Sequence, residues 1–120
     1  LIDAGVDAFH CSQRRFWEPE FEDSDMNLAG WVKKLTGVPT ITVGSVSLDQ
    51  DFVSQPTEGD GSTSEPASID RLLEMLDRGD FDLVAVGRAL IANPDWPKVV
   101  RSGDTAGLQA YSKDLLANLD

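Results

Sequence analysis

The chain of 120 residues contains one cysteine, one histidine and one tyrosine, and 21 acidic residues outnumber its 10 basic ones. The single cysteine, Cys11, cannot form an internal disulfide, which is typical of proteins from a reducing cytoplasm. The net charge of -11 argues against nucleic acid or an anionic membrane as a partner, because both attract positively charged surfaces. We therefore expect a cytoplasmic protein whose partner is a small molecule.

Long apolar runs are also lacking. No stretch approaches the roughly 20 apolar residues of a transmembrane helix, and no segment has the pattern of a signal peptide. Three tryptophans and five phenylalanines argue against disorder for most of the chain. The exception is segment 47–65, which is polar and rich in turn-forming residues and is predicted to be a flexible loop. The remainder is long enough to bury the core of one domain or of part of one.

Apolar segments alternate with segments of helical periodicity. Strands are predicted over residues 6–12, 40–43 and 83–86. One helix is predicted over residues 27–35, capped by Ser24 or Asp25, and another from Pro66 to Gly79 with an apolar stripe of Ile69, Leu72, Leu73 and Leu76. Short helices over 88–91 and 97–101 and a final helix over 108–119 follow. This order predicts an α/β fold with a parallel sheet and right-handed crossovers.

Two of the predicted strands run directly into a glycine. Gly44 follows residues 40–43, and Gly87 follows residues 83–86. A glycine lets an anion approach the main chain closely, and two such strand ends match the phosphate site of a (β/α) barrel. Arg88 adds a fixed cation with a planar fork of donors. The pattern predicts a phosphorylated ligand; the alternative is that both glycines only permit tight turns.

Six motifs are spread over most of residues 5–103. They are FHCS (9–12), RRFWEPEF (14–21), NLAGW (27–31), KKLTG (33–37), TVGSV (42–46) and VGRALIANPDW (86–96). In combination they closely resemble the old yellow enzyme family of NADH:flavin oxidoreductases. The resemblance implies that residues 1–120 are the C-terminal three βα units of an FMN-binding (β/α)8 TIM barrel, and hence an incomplete barrel.

By the same resemblance, the cofactor is FMN and the reductant is NADH or NADPH. The substrates implied are activated alkenes, typically α,β-unsaturated carbonyl compounds. The family's phosphate-binding strand ends fall on Gly44 and Ser45 and on Gly87 and Arg88. One departure is Ser47, where the family often has a second glycine, and a serine there is expected to alter the loop that follows the second strand.

No catalytic residue and no metal ligand is predicted. His10 and Cys11 are adjacent in a strand, so they point to opposite faces and cannot readily meet over one substrate. We expect a packed or lumen-facing His10 and an inert Cys11. The family's substrate-orienting pair and its proton-donating tyrosine belong to an earlier part of the barrel, and Tyr111 matches neither. We therefore expect the 120 residues alone to be inactive in alkene reduction.

The aromatic and charged loop over residues 13–25 offers a second candidate site. Phe16 and Trp17 either line the substrate pocket above the flavin or pack as a small core of the loop itself. Arg14 and Arg15 are expected to pair with glutamates of the same loop.

Two other functions stay open from the sequence. One is a stand-alone phosphate- or nucleotide-binding module with a flavodoxin-like open sheet, and the other is an inactive barrel remnant. Three parallel strands leave open sheet edges and an uncovered face. We therefore also expect self-association of the isolated chain.

Overall fold

A computed structural model describes residues 1–49 and 65–118. The strands are β1 (Phe9–Ser12), β2 (Thr40–Val43) and β3 (Leu83–Val84), and the helices are α1 (Leu28–Thr36), α2 (Asp70–Asp77), α3 (Arg88–Ala92) and α4 (Trp96–Ser102). Two 3-10 segments lie at Ile2–Ala4 and Lys113–Asn118. The chain divides into two compact units. The first unit comprises Leu1–Gly44 and Ile69–Ala85, and the second comprises Ser45–Ser68 and Val86–Asp120.

The first unit contains a three-stranded parallel sheet in the order β1-β2-β3. Cys11 lies beside Thr42, which in turn lies beside Val84. The predicted α/β class and the parallel arrangement are confirmed. The first and third strands are shorter than predicted, because β1 begins at Phe9 and β3 ends at Val84.

The two faces of this sheet differ in exposure. Thr40 and Thr42 are fully buried and Cys11 is 5% exposed, whereas Leu83 on the opposite face is 58% exposed. His10 shares that opposite face and is exposed, so it is not packed into a core. The third strand is therefore not buried on both faces, since Leu83 of β3 is exposed on one of them. Self-association through the open face stays a prediction.

Asn27 caps the N-terminus of α1 and links this helix to the loop after β1 and to β2. Its Oδ1 accepts a hydrogen bond from the Gly30 N–H at 2.9 Å, as an N-cap residue does. Its Nδ2 donates to the carbonyl of Phe16 and to Oγ1 of Thr42, both at 3.0 Å. The prediction that Ser24 or Asp25 caps this helix is therefore wrong. Asn27 satisfies three buried polar groups that belong to the loop, to β2 and to α1.

The C-terminal end of α1 follows the sequence prediction. Gly37 ends the helix with a φ of 72°, a left-handed conformation that glycine adopts without strain. Along α1, Ala29 and Gly30 are buried, whereas Leu35 near its C-terminal end is 78% exposed.

The second predicted helix is shorter than expected and buries a different face. It begins at Asp70, and Pro66 instead forms an isolated antiparallel bridge with Leu48. The buried side chains of α2 are Leu72 and Met75, at an i, i+3 spacing, whereas Leu73 and Leu76 are exposed. The predicted stripe is confirmed for Leu72 and wrong for Leu73 and Leu76, because Met75 enters the core in place of those two leucines.

Asp82, just before β3, forms hydrogen bonds to residues of α1 and β2. Its carboxylate accepts hydrogen bonds from Lys33 Nζ at 2.6 and 2.7 Å and from the Thr40 N–H at 2.9 Å. The Lys33 ammonium, followed by the Thr40 N–H, lowers the pKa of the Asp82 carboxyl. A carboxyl whose pKa is lower in the folded chain stabilises the fold above its unfolded pKa, and this contribution is lost as the pH falls through the folded pKa.

We expect Asp82→Asn to be less stable than the parent chain at pH 7, with a difference that narrows as the pH falls below about 4. Thermal unfolding followed by circular dichroism between pH 7 and pH 2.5 measures this convergence. Asp77→Asn, at an exposed position of α2, is the matched control and should run parallel to the parent chain. A constant difference between Asp82→Asn and the parent at every pH would contradict the assignment.

The second unit has its own core. Its buried members are Leu48, Ala89, Ala92 and Tyr111, and Val86, Ile91, Trp96 and Leu115 pack against them. The predicted final helix over 108–119 is wrong, because only Lys113–Asn118 is helical and it is of the 3-10 type. Asn93 holds the preceding segment by accepting from the Gln109 N–H at 2.8 Å and donating to the Gln109 carbonyl at 2.9 Å.

Most of the predicted loop over 47–65 lies outside the described residues. At its described ends, the Asp49 N–H donates to the Glu65 carbonyl at 3.1 Å. Among residues 1–49 and 65–118, no helix is long and apolar enough to cross a membrane.

Candidate functional site

Ser45 and Arg88, two of the predicted phosphate-binding residues, meet in the second unit. The Arg88 Nη2 donates a hydrogen bond to the Ser45 Oγ at 3.2 Å. Ser45 is 8% exposed, and Arg88 is half-buried. The contact therefore joins a planar cation to a hydroxyl at a partly buried position, where a charge-assisted hydrogen bond is less weakened by water than at the surface.

The backbone around Ser45 has an unusual conformation. Ser45 has a φ of 52° and Ser47 a φ of 62°, both in the left-handed region that side-chain-bearing residues rarely adopt. Ser47 is held there by Ala67, whose N–H donates to the Ser47 carbonyl at 2.8 Å and whose carbonyl accepts from the Ser47 Oγ at 3.3 Å. Serine thus adopts the left-handed backbone that a glycine at this position would favour. Such conformations cost on the order of 1–3 kcal/mol and cluster at functional sites.

Gly87 leaves open space next to Arg88. A Cβ placed on Gly87 would meet no atom of residues 1–49 and 65–118 within 4 Å. Its backbone has φ −110° and ψ −94°, and it is exposed. A ligand oxygen can therefore come close to the main chain at the residue that precedes the Arg88 cation.

Tyr111 also contacts Arg88 and was not predicted as a site residue. The Arg88 Cζ lies 5.6 Å from the centroid of the Tyr111 ring, within the range of a cation–π contact. Tyr111 is 1% exposed. The sequence places the two residues far apart and predicts a helix around Tyr111, so no local pattern indicates that they meet.

Gly44 lies in the first unit, where the chain passes very close to it. Its φ is 144°, and a Cβ on it would collide with the Gln13 carbonyl. The Phe16 N–H donates to the Gly44 carbonyl at 3.0 Å. The absence of a side chain at Gly44 is therefore required by the loop that follows β1. Its contact with a cofactor stays a prediction.

Phe16 and Trp17 pack against each other in the loop after β1. Their ring centroids are 5.2 Å apart with the planes at 90°, the edge-to-face arrangement that aromatic pairs prefer. Phe16 is 2% exposed, whereas Trp17 is half-buried. The expected pairing within the loop is confirmed for Arg15, whose Nη1 lies 2.8 Å from Glu18 Oε1. The two rings pack on each other, and a substrate role for Phe16 and Trp17 stays a prediction.

Cys11 is buried and His10 is exposed, because adjacent residues of a strand point to opposite faces of the sheet. Burial raises the pKa of the Cys11 thiol, which keeps it protonated and poorly nucleophilic at neutral pH. The His10 Nδ1 lies 3.4 Å from the Ser12 Oγ on the exposed face of β1. Within the described part of the chain, no group of three or more histidine, cysteine, aspartate and glutamate side chains is placed to hold a metal ion.

The chain is similar to an NADH oxidase from Thermoanaerobacter brockii, with 30% identity over 111 residues. The alignment covers 86% of this chain and 14% of that protein, so the chain spans a small part of the relative's length. No protein-family model matches the chain. The similarity establishes a distant relationship to an oxidoreductase.

Proposed function

We propose that the chain provides the phosphate-binding end of an FMN site in an NADH- or NADPH-dependent oxidoreductase of the old yellow enzyme type. The observation that carries the proposal is the contact between Ser45 and Arg88, at 3.2 Å, beside the open space at Gly87. Three of the four residues that the motif resemblance assigned to the phosphate therefore lie in one unit. The similarity to an NADH oxidase supports the redox class.

The sheet of the first unit supports the barrel part of the proposal. Each strand lies beside the one that precedes it in the chain, the order in which a (β/α) barrel is built. One face, with Thr40 and Thr42, is buried, and the other face, with Leu83, is exposed. Doubly wound sheets cover both faces with helices, whereas a barrel strand presents its second face to the barrel interior. This difference favours three barrel units over a flavodoxin-like module.

The residues present fit the phosphate group of FMN. The guanidinium of Arg88 offers a permanent charge and a planar fork of donors that matches phosphate oxygens. The Ser45 hydroxyl accepts one guanidinium N–H and so helps to orient the guanidinium plane. Gly87 has no Cβ, and a phosphate oxygen would find free space beside its main chain. Together these residues would hold a dianion in an otherwise acidic chain.

The redox chemistry would belong to FMN, which when bound accepts a hydride from NADH or NADPH and passes one to the β-carbon of an alkene conjugated to a carbonyl. The residues of the second unit would bind and orient the phosphate end only. The activity of a whole protein and its alkene substrate follow from the motif resemblance and are part of the proposal.

The proposal predicts that the chain binds FMN more tightly than riboflavin, which lacks the phosphate. We expect Arg88→Ala to weaken FMN binding roughly ten- to a hundredfold, because a hydrogen bond to a charged group contributes about 1.5–3 kcal/mol. The affinity for riboflavin should change little. Titrations of the full chain followed by flavin fluorescence measure both affinities.

Arg101→Ala is the matched control, since Arg101 is an exposed cation of α4 in the same unit. It changes the net charge equally and should leave both affinities within about twofold of the parent values. The proposal fails if the parent chain binds FMN and riboflavin equally, or if Arg88→Ala and Arg101→Ala behave alike.

A further inference from the structure

We propose that Tyr111 is a positioning residue that holds the Arg88 guanidinium in the orientation needed for the phosphate of FMN. This inference rests on the proposed function and assigns a role to a residue that no motif places in the site. Tyr111 would touch neither the phosphate nor the flavin. It would act through the face of its ring, 5.6 Å from Arg88 Cζ.

Among the described residues of the second unit, Ser45 and Tyr111 contact the Arg88 guanidinium. On one side the Ser45 Oγ accepts from Nη2 at 3.2 Å. On another the ring of Tyr111 faces the cation and attracts it through the negative charge above the ring plane. A hydrogen bond restrains one edge of the guanidinium, and a ring contact restrains its plane. Arginine side chains have several rotatable bonds, so both restraints lower the entropy lost when a phosphate binds.

The Tyr111 ring is itself firmly placed. It is 1% exposed and belongs to the core of the second unit with Leu48, Ala89 and Ala92. Two of these, Ala89 and Ala92, belong to α3, the helix that begins at Arg88. The ring therefore contacts the cation and shares a core with the helix that carries it.

Asn93 fixes the chain just before Tyr111. Its side chain accepts from the Gln109 N–H at 2.8 Å and donates to the Gln109 carbonyl at 2.9 Å. Its Nδ2 also lies 3.3 Å from the carbonyl of Ala89. Asn93 is 8% exposed, so these bonds are shielded from competing water. A paired amide thus ties the C-terminal segment to the end of α3 and brings Tyr111 to Arg88.

The test uses two substitutions at position 111, Tyr111→Leu and Tyr111→Phe, and repeats Tyr111→Leu in the Arg88→Ala background. We expect Tyr111→Leu to weaken FMN binding roughly two- to tenfold, the range of one cation–π contact. Tyr111→Phe keeps the ring and should bind FMN as the parent chain does. In the Arg88→Ala background, Tyr111→Leu should produce no further loss, because the cation it positions is gone. Riboflavin titrated in parallel should report no change in any variant.

A second variant keeps an aromatic ring in the core, in case Tyr111→Leu does not fold. The chain has a single tyrosine, so growth with 3-fluorotyrosine labels position 111 alone. Fluorine withdraws electrons from the ring face and weakens its attraction for a cation without changing the ring shape appreciably. We expect a lower affinity for FMN and an unchanged affinity for riboflavin in the fluorinated chain.

The outcomes separate this inference from the proposed function. If Arg88→Ala weakens FMN binding but Tyr111→Leu and the fluorinated chain do not, the positioning role is wrong and the phosphate site stands. If Tyr111→Leu weakens FMN and riboflavin binding equally, or still weakens FMN binding in the Arg88→Ala background, Tyr111 acts only as a core residue. If Arg88→Ala leaves FMN binding unchanged, both proposals are wrong.

Discussion

Replacing Gly44 by alanine is expected to destabilise the chain by about 3–5 kcal/mol, a large part of the stability of a small domain. Gly44 has a φ of 144°, which residues with a Cβ rarely adopt, and a Cβ there would collide with the Gln13 carbonyl. Relief would require moving the main chain of the loop after β1. That movement would strain the hydrogen bond from the Phe16 N–H to the Gly44 carbonyl. Urea unfolding followed by tryptophan fluorescence measures the loss.

Gly37→Ala separates the cost of a positive φ from the cost of the collision with a neighbouring carbonyl. Gly37 also has a positive φ, 72°, but a Cβ on it would meet no atom within 4 Å. Its replacement should therefore cost only the conformational part, about 1–2 kcal/mol. Equal effects of the two substitutions would show that the close approach of Gln13 to Gly44 contributes nothing.

Asn27→Ala is expected to reduce the free energy of unfolding by about 3–4 kcal/mol. Asn27 is fully buried, and its side chain serves the Gly30 N–H, the Phe16 carbonyl and the Thr42 hydroxyl. Loss of the helix cap costs about 1 kcal/mol. Each buried group left without a partner costs about 1–3 kcal/mol, reduced where the loop relaxes or water enters. The same urea unfolding experiment applies.

Asn27→Ser is the informative companion to this substitution. Serine keeps a capping oxygen for the Gly30 N–H but is too short to replace both donations of the amide. It should recover about 1 kcal/mol of the loss seen with Asn27→Ala. If Asn27→Ala unfolds within 0.5 kcal/mol of the parent chain, a deviation typical of exposed sites, the three hydrogen bonds do not act as described.

Local patterns predicted the first unit well where one residue type or one short run decides the structure. The run Thr40–Val43 forms β2 as predicted, because four residues of high strand propensity stand between Pro39 and Gly44. Gly5 and Gly37 end helical segments in the left-handed conformation, as glycine does at such positions. These features depend on sterics within a few residues.

Predictions failed where packing between distant segments determines the local structure. The cap of α1 is Asn27, since only this side chain also reaches Phe16 and Thr42. Met75 is the residue of α2 that is buried in place of Leu73 and Leu76, because the face that a helix buries depends on the segments packed against it. The predicted helix around Tyr111 does not form, and the residue packs in a core instead. None of these choices is visible in the spacing of apolar residues.

The sequence by itself determined the α/β class and the parallel strands, and it made Gly44, Gly87 and Arg88 candidates, because strand propensity, glycine and a fixed cation act locally. Ser45 became a candidate through the motif resemblance. Only the tertiary structure decided that Ser45, Arg88 and Tyr111 meet. Their contacts join segments that are far apart in the chain, and such contacts form only when burial of a shared core repays the entropy of bringing the segments together.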